Sequence, residues 1–261
     1  MCHHDAPLHF DGMARWLGSW SDLTGMVVIQ EPRQRIWRRL RREFGRVGLM
    51  RLADVIAFRV HYRLTTSARD RAWIETALVQ LQRRFPSPPK APSIRVSTPN
   101  SQAAQEFIEN AQPTFVLALC KNILTARIFK IPTHGTFVLH PGICPEYRNA
   151  HGCFWALATN DMAKIGMTVL RIDQGIDTGP VYGYFTTPFD EVNESHILIQ
   201  HRMTLDNLDS IAGLFRRIHA GDAIPIPTSG RHSRAWGQPW LTQYVKWKRE
   251  AKERRDAGDR P

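Results

Sequence analysis

The sequence predicts an α/β protein built on a doubly wound, mostly parallel sheet. From Ile94 onward, short β-prone runs alternate with helical patterns, the signature of strands joined by crossover helices. The 261 residues are 43% apolar and 23% charged, which suits one sizeable domain with a real core. The run Thr136 to His140 stops against Pro141, placing the histidine at a carboxyl end of the sheet, where open α/β folds hold their ligands.

The elements follow in order. Residues 6 to 20 read as a helix, with Phe10, Met13, Trp16, Leu17 and Trp20 near helical spacing. Helical pattern starts almost at Met1, so the first strand is expected to be missing or truncated, as a start codon placed too late would make it. Residues 24 to 30 are β-prone and end at Glu31-Pro32. Residues 33 to 64 and 69 to 84 are helical in pattern, and the proline-rich loop from Pro86 to Pro92 ends that stretch. Strands are expected at 94 to 97, 115 to 119, 136 to 140, 166 to 172 and 181 to 187. Helices are expected at 101 to 110, 124 to 129, 151 to 159 and, as one long element, 195 to 219. Four segments result: 1–32 opens the α/β domain, 33–92 is a basic helical insertion, 93–240 completes the domain with its site, and 241–261 is a basic tail expected to fray.

Composition excludes several classes. Mean hydropathy is −0.34 and no apolar run approaches the length of a membrane-spanning helix. No secretory signal follows Met1, and Cys2, Cys120, Cys144 and Cys153 lack zinc or disulfide spacing. A cytoplasmic protein is expected. The net charge of +11 is regional: residues 31 to 90 carry 15 basic and 5 acidic side chains. Arg35, Arg38, Arg39, Arg41 and Arg42 are interleaved there with Ile36, Trp37, Leu40 and Phe44. Basic amphipathic helices meet anionic surfaces, so residues 33–64 point first to an anionic membrane surface, peripherally bound. A nucleic-acid contact is disfavoured, and packing or a homodimer is the remaining reading.

The chemistry-bearing stretches are Thr136 to Leu157 and Asp173-Gln-Gly175-Ile-Asp177-Thr-Gly179-Pro. Asp177 sits between two glycines in a tight loop, where its carboxylate can meet the imidazole of His140 and fix its tautomer. Cys144 and Cys153 read as packing, Glu146 and Asp161 as solvated loop acids, and Phe154 and Trp155 as helix core. His3, His4 and Asp5 read as a mobile terminus rather than a metal site.

These stretches resemble the formyltransferase family, whose pattern is Asn-x-His-Pro/Ala, a Pro-x-Tyr-Arg-Gly turn, and a Gly-x-Asp-x-Gly loop some three dozen residues on. Here His140 and Asp177 are 37 positions apart. Leu119-Cys-Lys-Asn-Ile-Leu124 is similar to the family loop that wraps the pterin of 10-formyltetrahydrofolate. The resemblance implies a formyltransferase-like fold and an enzyme, a one-carbon transferase that moves a formyl group from 10-formyltetrahydrofolate to an amine. By it His140 serves as proton-transfer group and oxyanion donor, and Asp177 orients it or passes the proton on. Asn122, Ile123, Leu124, Asp173 and Gly175 then fall at the folate, and Tyr147 and Arg148 at the acceptor. No metal is implied.

Two departures matter. Val138 stands where the family has asparagine, on the same strand face as His140. Losing one such oxyanion donor typically costs about 10²–10³ in rate. The hydrolase domain of 10-formyltetrahydrofolate dehydrogenase also carries an aliphatic residue there, so hydrolysis is the runner-up, and a silent folate- or membrane-binding module the third reading. Asn149 stands in place of the glycine after Tyr-Arg; Asn149 or His151 is expected to supply part of the lost donor. After Asp177, 84 residues remain, little room for the C-terminal barrel of methionyl-tRNA formyltransferases, which favours an amino sugar over initiator tRNA.

Overall fold

The computed structural model describes residues 1–32 and 48–258. The arginine-rich run Arg35 to Arg42, with Trp37 and Phe44, lies outside the described residues.

Seven strands are found among the described residues: β1 (Cys2–His3), β2 (Met26–Ile29), β3 (Ser93–Val96), β4 (Val116–Leu117), β5 (Thr136–His140), β6 (Met167–Arg171) and β7 (Val181–Phe185). They form a three-stranded sheet ordered β1-β2-β3 and a four-stranded sheet ordered β4-β5-β6-β7. A parallel bridge between Cys2 and Leu119 joins the two. All pairings up to β5 are parallel, whereas β6 and β7 are antiparallel to their neighbours. For β6 and β7 the cause is local: residues 172–180 link them without a helix, and so short a link joins only antiparallel strands.

Strand β1 is short. It has two residues, and the backbone around it is well paired, Met1 N to Leu117 O at 2.9 Å and Leu119 N to Met1 O at 2.8 Å. Behind it a π-helical turn over Leu8–Met13 runs into α1 (Ala14–Trp20). Then come α2 (Leu49–Thr65), α3 (Ser67–Arg84), α4 (Gln102–Ala111), α5 (Ala126–Phe129), α6 (Gly152–Ala158), α7 (His196–Leu205), α8 (Leu208–Ala220) and α9 (Leu241–Asp256). The caps follow composition: the Ser101 hydroxyl accepts from Ala104 N and the Ser195 hydroxyl from Leu198 N.

Two expectations are corrected. The single helix over 195–219 is two, because Asn207 turns its amide onto the carbonyls of Thr186 and Met203 and ends the first. The tail does not fray between Lys246 and Asp256: α9 buries Trp247 and Ala251 completely, and Arg254 clamps the buried Glu191 with contacts of 2.9 and 2.7 Å. The described helices before Pro86 pack onto the body of the protein. Phe58 and Leu81 join the main core, and buried Asp70 accepts from Tyr62 at 2.7 Å and from Ser195 at 2.6 Å.

The main core lies on the sheet face covered by α6, α7 and α8 and includes Phe137, Phe154, Val169 and Phe215. A second core, with Ile29, Ile108 and Ile128, fills the opposite side against α4 and α5. A small third cluster of Cys144, Leu170 and Val181, joined by Val138, Tyr184 and Ile226, lies beside the candidate site.

Candidate active site

Strand alternation puts Phe137 into the main core and turns Val138 and His140 the other way. Immediately after β5 the chain reverses. The buried Thr168 hydroxyl pins that turn, donating to Gly142 O at 2.6 Å and accepting from Cys144 N at 3.0 Å. The turn brings the carbonyl of Tyr147 to 2.7 Å from His140 Nε2. Glycine is required here: a Cβ on Gly142 would stand 2.7 Å from Tyr147 O and 3.1 Å from His140 Nε2.

A carbonyl only accepts, so Nε2 carries the hydrogen. The other nitrogen, Nδ1, faces Asp177 Oδ2 at 3.4 Å. Antiparallel pairing starts the 172–180 loop beside Thr136, where Ile172 N donates to Thr136 O, not beside His140. The loop then folds back along β5 to deliver the carboxylate. Asp173 shapes it, accepting from Gly175 N at 2.9 Å and the Thr178 hydroxyl at 2.7 Å. Arg148 ties it down by a 2.9 Å bond to Ile176 O. Asp177 itself has φ = 52°, a left-handed conformation that Asp tolerates better than most residues and that is held here by its surroundings. Asp177 Oδ2 also accepts from Asn149 N at 2.8 Å.

Asn149 has φ = 78°, the conformation that favours glycine. Its side chain is not free to replace an amide lost at residue 138: Nδ2 donates to Trp236 O at 2.6 Å, and Oδ1 accepts from Ala150 N. His151 leads into α6; burial, with Lys121 and Arg59 nearby, lowers its imidazole pKa to about 3, and its Nδ1 is buried without a partner. Tyr147 contributes its carbonyl, not its ring, to the pair. The ring is buried, its hydroxyl bonds Asp161 and Thr159 at 2.9 Å each, and burial pushes the phenol up to about 12.

Asp161 is therefore a partnered acid, and so is Glu146. Glu146 receives Arg231 at 3.0 and 2.6 Å and Lys164 at 3.1 Å. Burial alone would raise the Glu146 carboxyl, but these bonds outweigh it and hold the group below its ordinary range.

Arg231 belongs to a strap, residues 222–240, that sequence reading passed over. Ile226 N bonds Val181 O, and the backbone near Arg234 and Trp236 pairs with Pro145 and Arg148. The Trp236 ring stacks on Tyr147 at 5.5 Å and on Trp155 at 4.9 Å. The run Pro227-Thr-Ser-Gly-Arg-His-Ser-Arg-Ala-Trp236 has no periodicity; its clustered arginines and tryptophan in a glycine-serine loop were the available signal. Beneath the strap is a cavity of about 180 Å³ reached by Asp177, Arg148, Thr178, Thr228, Arg231 and Ser233. It is smaller than an enclosed cofactor site. A larger depression of about 440 Å³ between β7 and α8 holds none of the candidate residues.

The 119–124 loop reaches the chain start, where Lys121 N lies 3.5 Å from His3 Nε2. Leu124 is buried and Ile123 is 70% exposed. The Asn122 amide nitrogen is held by Glu31 at 2.5 Å, while its Oδ1 is buried with no partner.

Residues 67–204 match the family model described as formyl transferase, more than half of the chain, and the protein belongs to that family. The match begins at α3 and takes in β5, His140, the 172–180 loop and Asp177. Among curated relatives, the methionyl-tRNA formyltransferase of Thermus thermophilus is 28% identical over 145 residues, covering 55% of this chain and 46% of the relative. That of Synechocystis is 26% identical over 181 residues, covering 65% and 54%. The chain thus spans about half the length of the curated relatives it matches. Solved structures that resemble it include a sugar N-formyltransferase from Shewanella, with 17% identity, 56% of each chain covered and a TM-score of 0.45. Another is phosphoribosylglycinamide formyltransferase from Bacillus halodurans, with 12% identity, 83% and 93% covered and a TM-score of 0.49.

Proposed function

We propose that this protein transfers a formyl group from 10-formyltetrahydrofolate to an amine, with an amino sugar as the acceptor class. The observation that carries the reading is the approach of His140 Nδ1 to Asp177 Oδ2 at 3.4 Å, at the site where the family match is centred. The folate supplies an activated formyl carbon on N10. The orphaned Oδ1 of Asn122 suits a ring N–H of the pterin, since a buried acceptor without a donor is costly.

The protein's own groups divide the proton work. The attacking amine must lose a proton as the new C–N bond forms, and the departing N10 must gain one as the old bond breaks. Asp177, which lines the cavity, takes the first proton. His140, with Nε2–H fixed on the Tyr147 carbonyl, presents its unprotonated Nδ1 to the carboxylate, takes the proton over from Asp177 as the imidazolium forms, and returns it by way of the carboxylate to N10. His140 thus acts through proton transfer; both its nitrogens are directed to protein groups, which argues against a leading oxyanion role.

A second reading is favoured by one observation. Val138 packs with Leu170 and Val181 in an apolar wall, so it offers no donor to a tetrahedral intermediate, and water is then a competing acceptor. One assay separates the readings: incubation with 10-formyltetrahydrofolate, with and without a panel of amines, following tetrahydrofolate and formate. Amine-dependent tetrahydrofolate supports transfer. Formate release without amine supports hydrolysis, and binding without turnover defeats both.

A further inference from the structure

The helix α2 carries two apolar faces. Its inner side seats Val55, Phe58 and Tyr62 against the core, as an amphipathic helix should. Its outer side should then be polar. Instead Leu49, Ala53, Ile56, Val60 and Leu64, at successive spacings of four, three, four and four, form a stripe flanked by Met50. Leu49 is 86% exposed, Met50 91% and Leu64 79%, and Ile56 and Val60 are about half exposed. The stripe runs about 22 Å along the helix.

Other helices of this protein show what an ordinary outer face looks like. Opposite its buried Leu208, Ile211, Leu214 and Ile218, α8 presents Asp209, Arg216 and Ala220 to solvent. The outer face of α3 carries Arg69, Arg71 and Glu75. Contiguous apolar exposure of the α2 kind marks an interaction surface.

Charge decides between occupants. The acid on α2, Asp54, is turned to α9, where it accepts from Thr242 N at 3.0 Å and from the Thr242 hydroxyl. Arg63 is exposed beside Leu64. Seven arginines against one glutamate lie in the fifteen positions of the chain just before Gly48. An apolar stripe that directly follows a cationic run in the sequence suits a lipid bilayer with anionic headgroups: the side chains enter the acyl boundary while arginines meet phosphate. A second copy of the same chain would bring like charge to like charge. Among the described residues no helix is long and apolar enough to cross a membrane, so the contact is peripheral.

We infer that α2 is a membrane-docking helix that lays Leu49, Met50, Ile56, Val60 and Leu64 on an anionic lipid surface. The inference stands apart from formyl transfer, because none of these residues lines the His140 site.

The test is flotation of the purified full chain with phosphatidylcholine vesicles, pure or doped with phosphatidylglycerol, at low and high salt. The wild type floats with doped vesicles, less with pure ones, and less at high salt. A variant with Leu49→Gln, Met50→Gln, Val60→Gln and Leu64→Gln loses about tenfold or more of its binding. These side chains are exposed, so its melting temperature and formyl turnover in solution stay at the wild-type level. No flotation at low salt, flotation of the variant equal to wild type, or a dimer that the variant dissolves without any lipid binding each overturns the inference.

Discussion

His140 and Tyr147 are joined by a 2.7 Å bond from the imidazole Nε2 to the backbone carbonyl, and that bond fixes which nitrogen meets Asp177. A ring so held cannot rotate to offer Nε2 to a substrate without breaking a buried bond. On the proposed reading, the proton chemistry of the site runs through Nδ1 and the carboxylate.

Removing the charge while keeping the shape tests this. Asp177→Asn can still accept from Asn149 N but cannot take a proton from an amine. Formyl turnover is expected to fall by about 10²–10⁴ with an unchanged circular dichroism spectrum. His140→Gln should fall as far, and the double variant little further, because the two act as one unit. An Asp177→Asn enzyme with near wild-type turnover would show that the proton goes elsewhere.

Restoring the absent amide gives a gain-of-function measurement. Val138 is only half-buried, so Val138→Asn is expected to fold, at a stability cost of about 1–2 kcal/mol from the apolar wall it leaves. If a donor is what limits transfer, the amine-dependent rate rises by up to about 10²–10³. A rate that stays level shows that another group already fills the role.

Backbone closeness can be probed without replacing either member of the pair. Gly142→Ala places a methyl 2.7 Å from Tyr147 O. The carbonyl must shift, so stability should fall by about 1–3 kcal/mol and turnover by about tenfold or more. Gly213→Ala is the control: its Cβ meets nothing within 4 Å, and in a helix interior it should raise stability by about 0.5–1 kcal/mol.

The strap depends on the Glu146–Arg231 pair. Glu146→Gln weakens a two-point ion pair and leaves Lys164 without its acid, an expected loss of about 1–3 kcal/mol, read as a lower melting temperature. Arg231→Gln should cost about the same and the double variant less than the sum. Because the Glu146 carboxyl sits below its ordinary value, its contribution is full at neutral pH and is lost as pH drops through that lowered pKa.

Buried histidines predict acid unfolding. Burial first of all holds His9 and His201 near pKa 4 and His151 and His196 near 3, against an ordinary 6.5. Between those values the unfolded chain binds more protons than the folded one, so stability is intact above about pH 6.5 and declines as pH falls. Each group contributes at most about 1.4 kcal/mol per pH unit; His9, His151 and His201 keep some exposure and contribute less. Against a total of about 5–15 kcal/mol, the fold is expected to be lost between about pH 6 and pH 4. Far-ultraviolet circular dichroism follows it. His196 packs on Phe154 at 5.3 Å and Phe58 at 5.9 Å, so His196→Phe should move the midpoint to lower pH.

Much of the α/β pattern was legible because strands and helices have local periods. Thr136–His140 was readable to the residue, since threonine and branched side chains alternate there and Pro141 ends the ladder. The spacing of His140 and Asp177 was legible for the same reason: short motifs survive in one dimension. The break at Asp206–Asn207 was not, because an asparagine stops a helix only when carbonyls such as Thr186 O are in reach.

The sequence by itself determined the order of the elements, the histidine and the carboxylate, and the cationic stretch before Gly48. Tertiary structure alone decided what they face. It folded the 172–180 loop back along β5, turned the Tyr147 ring away while using its carbonyl, drew residues 222–240 over the site through Glu146 and Arg231, and left one face of α2 bare. The physical reason is range: side-chain periodicity is set by neighbours a few positions away, whereas Arg231 reaches Glu146 across 85 positions, a pairing that exists only once the chain has closed on itself.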